Sequence, residues 1–154
     1  MFSIPDKWME IEEVSVFFSL LLALGFIQIT WEPSEYKVDV NRTGSRYFRH
    51  RIISLVKSDY DWADCGIFAL RLSDGFHVLI VLELGSSVPS ENGYVVEAKI
   101  FHGTPEEIIR ESKEFVKGEL ENLIPEEEEM KEPLRLFERS LRATLHELKT
   151  WKPK

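Results

Sequence analysis

The chain has 154 residues, 44% apolar and 30% charged, which is enough to bury a core in one domain and excludes a disordered or low-complexity protein. Its formal net charge of −8 excludes the broad positive field needed to coat nucleic acid non-specifically. One cysteine, Cys65, excludes an internal disulfide and a thiolate metal cluster, and the expected setting is reducing and cytoplasmic. Glu outnumbers Asp by 21 to 6, Lys and Arg are nearly equal, and Gln and Asn are scarce, a composition of the heat-adapted kind.

Ser3 or Asp6 as N-cap predicts a helix over about Lys7–Leu24, with Glu10, Glu12 and Glu13 near its positive end and Gly25 closing it. The 18 residues from Val14 to Trp31 carry no charge, but the flank before them is acidic, the wrong sign for a signal peptide. Gly25 followed by "FIQITW" reads as a helix stop and then a strand, so a buried helix is expected and no membrane partner.

Strands follow at 26–31, 36–40, 47–57, 65–72, 76–84 and 94–101, divided by turn-forming residues. "NRTGS" (41–45) is expected to be a hairpin loop with Gly44 at positive φ, and the Asp74-Gly75 pair marks a tight hairpin. On 76–84, Phe76, Val78, Ile80 and Leu82 share one face, with Leu79 and Val81 on the other beside His77 and Glu83. A strand apolar on both faces belongs near a sheet centre with cover front and back, supplied by the helices or by a second copy. Thr104, Pro105 and Glu107 form the N-cap, first position and capping box of a helix. Pro125 with Glu126–Glu129 starts another, which Pro133 is expected to interrupt before a last helix from Leu134 to Trp151. The fold class expected is α+β in a single domain over 1–154: a five- to six-stranded antiparallel meander sheet, preceded by one helix and followed by two or three helices packed on it.

The segment "VNRTGSRYFRHRIISLVK" (40–57) concentrates positive charge in an acidic chain. Arg42, Arg46, Arg49 and Arg51 are candidates for binding an anion or a nucleic-acid strand, with Tyr47 as stacking partner. The simpler expectation pairs them with the acids of 58–85 on neighbouring strands. The last helix carries Arg135, Arg139, Arg142, His146 and Lys149 on one face, matched by the acidic stretch 106–132. Leu134, Phe137, Leu141, Leu148 and Trp151 form its apolar seam, and together with Leu79 and Val81 they are the candidate interface residues for self-association.

Glu97 and Lys99 in "VEAK" resemble the acid–lysine pair of metal-dependent nucleases of the PD-(D/E)xK class. Asp74 or Glu83 would have to supply the further acid, and an exposed Glu/Lys alternation explains the pair as well. His50, His77, His102 and His146 lie too far apart in sequence for a local metal motif, so no metal or other cofactor is expected. No nucleotide-binding or nucleophile-elbow motif occurs. The sequence thus names no reaction. The expected function is a non-enzymatic interaction module that associates with itself, as a homodimer, or with another protein, nucleic acid and metal-dependent cleavage being the alternatives.

Overall fold

The computed structural model describes residues 1–86 and 94–150. In chain order the elements are β1 (Phe2–Pro5), α1 (Asp6–Met9), α2 (Glu12–Ala23), β2 (Ile27–Glu32), β3 (Glu35–Val40), a 3-10 turn (Gly44–Arg46), β4 (Phe48–Lys57), β5 (Asp61–Leu72), β6 (Gly75–Ser86), β7 (Tyr94–Gly103), α3 (Pro105–Leu120) and α4 (Glu127–Thr150). The class is α+β with antiparallel sheets, as the patterning predicts. The strands, however, form two sheets rather than one meander: a three-stranded sheet in the order β1-β3-β2 and a four-stranded sheet in the order β4-β5-β6-β7.

The division falls at residues 41–47, where a hairpin is expected. Asn41 donates its backbone N–H to the Phe26 carbonyl at 2.7 Å and its side-chain amide to the Gly25 carbonyl at 2.7 Å. The chain is thereby tied back to the end of α2, and the 3-10 turn carries it into the other sheet. Gly44 is not at positive φ. It is a glycine because a Cβ there would lie 2.3 Å from the Phe26 carbonyl oxygen, inside any permissible contact.

The N-terminal helix is also divided. In a straight helix over Lys7–Leu24, Trp8 would point about 130° away from Val14, Phe17, Phe18 and Leu21. The break at residues 10–11 turns Trp8 inward, where it is 2% exposed and donates its indole N–H to Glu83 Oε2 at 2.7 Å. The preceding residues are drawn into β1, which pairs with β3 from Phe2↔Val38 to Pro5↔Glu35. At the other end Pro133 does not interrupt α4, which runs unbroken from Glu127 to Thr150. Pro133 lies in the second turn, so only the Glu129 carbonyl loses its i+4 amide, and Glu129 is exposed to water.

The four-stranded sheet is the middle layer. Val78, Ile80 and Leu82 of β6, with Cys65 and Ile67 of β5, pack against Ile108, Val116 and Leu120 of α3 and Phe137, Leu141 and Leu148 of α4. Leu79, Val81, Phe68 and Leu70 face the opposite way, against Trp8, Phe17, Phe18 and Leu21, with Ile4 and Val38 of the smaller sheet. Front and back cover both come from the same chain. Among the described residues, no helix is long and apolar enough to cross a membrane.

Candidate functional site

The arginine-rich segment is engaged within the fold. Arg51 Nε donates to Thr144 Oγ1 at 3.0 Å, and the Arg51 guanidinium pairs with Glu147. Arg49 Nε lies 3.5 Å from Glu147 Oε2, and Arg49 Nη1 donates to the carbonyls of Ser45 and Phe48. Both arginines therefore clamp the edge strand β4 onto α4 through one carboxylate, instead of pairing with acids on β5. Tyr47 stacks on Phe26 with ring centroids 5.1 Å apart, away from that face. Arg42 and Arg46 stay exposed on the segment held beside the end of α2.

Two members of the α4 basic stripe, Arg135 and Arg142, meet acids of the 106–132 stretch. Arg142 pairs with Glu106 at 2.9 Å and Glu138 at 3.0 Å, Lys113 with Glu138 at 2.6 Å, and Arg135 with Glu132 at 2.8 Å. These bonds hold the carboxyls of Glu138 and Glu132 below the usual range. The apolar seam lies inward: Phe137, Leu141 and Leu148 are fully buried and Leu134 is half-buried. Leu79 and Val81 are likewise fully buried. Six of the seven candidate interface residues are thus packed inside the chain, and Trp151 lies outside the described residues.

Glu97 and Lys99 do not assemble into a nuclease-like centre. Both are exposed, on the face of β7 that looks toward α3, where Glu97 approaches Glu119 and, after burial, adds to the upward shift of that carboxyl. Glu83 projects from the other face of the sheet, held by Trp8 and by the Tyr94 hydroxyl. Directly opposite Glu83 on β5 stands Asp64, whose carboxyl is pushed up by burial and by Glu83, partly offset by Lys57. Cys65 is fully buried, and that burial pushes its thiol up, which makes it a core residue rather than a nucleophile.

Two features escape the sequence reading. First, the outer face of α2 is apolar. Glu12 and Glu13 open it, and Val16, Ser19, Leu20 and Ala23 follow on the side away from the core, all exposed, with Val16 at 53%. Leu22 and Leu24 are exposed on its flanks. The expectation of a helix buried on nearly all sides is corrected here: Val14, Phe17, Phe18 and Leu21 face the core and the rest do not. The signal for burial is the lack of charge, and that signal does not distinguish covered from uncovered apolar residues.

Second, two of the histidines meet. His77 and His102 are direct partners across β6 and β7, their rings stacked with centroids 4.2 Å apart and planes within 15°. Asp74 sits over them from the β5–β6 turn, with Oδ1 2.9 Å from His77 Nε2 and Oδ2 3.7 Å from His102 Nε2. The 24 residues between the two histidines hid the pair, although folding strands 76–84 and 94–101 into a hairpin already brings them close. The chain matches no known family, no curated protein and no solved structure.

Proposed function

We propose that this protein is a self-associating interaction module whose contact surface is the outer face of α2, set against the same face of a second copy. The observation that carries this reading is an exposed helix face with no charged residue from Val14 to Leu24, in a chain of net charge −8. Two copies with that net charge repel, and an uncharged apolar surface such as that of α2 offsets this by burial without setting acids against acids along its middle. A surface helix ordinarily presents charged and polar residues to water, as α3 and α4 do.

The ends of the stripe favour a second copy as the occupant. Glu12 and Glu13 lie at the N-terminal end of α2, and the exposed Arg42 and Arg46 belong to the segment bonded to its C-terminal end. A two-fold axis across the middle of the helix sets the acids of each copy against the bases of the other, with Val16 and Leu20 between. The arrangement is self-complementary, and it moves the interface from the 134–151 helix expected from sequence to the opposite side of the molecule.

Sedimentation velocity across a concentration series tests this. A reversible monomer–dimer equilibrium is expected, abolished by Leu20→Lys at unchanged far-ultraviolet circular dichroism. Reversing Glu12 and Glu13 to Lys weakens the dimer, and adding Arg42→Glu and Arg46→Glu restores it. A monomer at every concentration, or a dimer indifferent to Leu20→Lys, overturns the reading.

A further inference from the structure

We infer that Asp74, His77 and His102 form a binding site for a divalent transition-metal ion, of the class that includes zinc, cobalt, nickel and copper. The site uses none of the α2 residues and stands or falls independently of the dimer. One oxygen of Asp74 and one ring nitrogen from each histidine all lie within 4.8 Å of one another. Donors sharing a tetrahedral zinc sit about 3.3 Å apart at ordinary bond lengths. Small rotations of side chains therefore close the site, and Asp74 and His102 are exposed and have room to make them.

The backbone holds these groups together before any ion arrives. His77 and His102 occupy facing positions in a paired ladder, and the two-residue turn Ser73-Asp74 fixes Asp74 at its end. Gly75 makes that placement possible. Its φ is +123°, a backbone conformation that residues with a Cβ rarely adopt. Both histidines turn Nε2 toward Asp74: His77 Nε2 lies 2.9 Å from Oδ1, and His102 Nε2 lies 3.2 Å from the Asp74 carbonyl oxygen. One Nε2–H from each neutral ring meets these contacts, and a cation placed between the same atoms would replace both hydrogen bonds and engage both rings and the carboxylate together.

The donor chemistry selects the ion. Two imidazoles with one carboxylate suit zinc, cobalt, nickel and copper, while magnesium and calcium prefer all-oxygen sites. Three protein donors leave at least one coordination position for water or for a group on an incoming molecule.

Protein stripped of metal with a chelator is titrated with cobalt, followed by visible absorption, and with zinc, followed by calorimetry; magnesium serves as the comparison ion. One equivalent of cobalt or zinc per chain is expected, with no response to magnesium. His102→Gln and Asp74→Asn, both at exposed positions, should each weaken zinc binding by at least about tenfold. His50→Gln and His146→Gln should bind as the parent does, and so should Leu20→Lys, which separates the site from self-association. Failure of the parent to take up either ion, or equal uptake by His102→Gln at an unchanged unfolding midpoint, overturns the assignment.

Discussion

The two layers that cover the four-stranded sheet solve the same problem with opposite kinds of sequence. The C-terminal cover, α3 and α4, buries an apolar seam and finishes its outer surface with ion pairs such as Arg142–Glu138 and Lys113–Glu138. The N-terminal cover buries aromatics: Phe18 meets Phe68 edge-on at 5.3 Å, and Trp8 meets Phe68 at 6.5 Å. Its outer surface on α2 is left apolar. A helix that only needs to protect a core has every reason to carry charge outside, and α4 does. The apolar outer face of α2 is the feature on which the proposed dimer rests.

The comparison breaks first at the core. Phe68→Ala on the N-terminal side and Phe137→Ala on the C-terminal side should each cost about 3–5 kcal/mol, since both rings are fully buried. Urea unfolding followed by Trp fluorescence should show one transition shifted to lower denaturant in both variants, because β5 and β6 are shared by the two cores. A separate early transition for Phe68→Ala would mean that the N-terminal cover unfolds by itself, and the two layers would have to be treated as independent.

A smaller effect tests the outer bonding of the C-terminal cover. A double-mutant cycle on Arg51→Ala and Glu147→Ala should return a coupling of about 0.5–1 kcal/mol, the range for half-exposed pairs with good geometry. Coupling near zero would leave the polar hold of β4 on α4 to the Arg51–Thr144 and Arg49–Glu147 contacts.

The smallest effect has the opposite sign. Asp64 stands across from Glu83, two like charges in facing positions, and the Asp64 carboxyl is raised. A raised carboxyl binds its proton more tightly in the folded state, so its contribution favours folding at low pH and is lost as pH rises through the folded value. Asp64→Asn should accordingly gain about 0.5 kcal/mol near pH 7. The gain should shrink on acidification, as the parent Asp64 takes up its own proton. Unfolding midpoints across pH read this directly, and a variant less stable at neutral pH would show that Asp64 is held by a favourable partner such as Lys57.

Much of this was legible residue by residue. The alternation on 76–84 identified a strand with two apolar faces, and both faces are buried. The N-cap at Thr104 is realised, with Thr104 Oγ1 accepting from the Glu107 N–H at 3.3 Å and its hydroxyl donating to Glu107 Oε1 at 2.9 Å. Alternation is a property of one strand at a time, however, and carries no information about which strand lies beside it. That is why β2 and β3 read as part of one meander, and why Phe2–Pro5, too short to show a period, gives no sign of the strand that completes the smaller sheet. The acid that holds Arg49 and Arg51 lies more than 90 residues away in Glu147, a separation at which no local pattern operates.

By itself, then, the sequence determined the local quantities: which segments are strands or helices, which faces are apolar, where caps and turns fall, and that the chain is acidic overall. These follow from side-chain chemistry and backbone geometry within a few residues. Only the tertiary structure decided the pairings that depend on closing long loops. It set two sheets in place of one, put the arginine clamp on α4, left one face of α2 open, and brought His77 against His102 beneath Asp74. Such contacts are chosen by what the whole chain can bury at once, and no short stretch of residues contains that information.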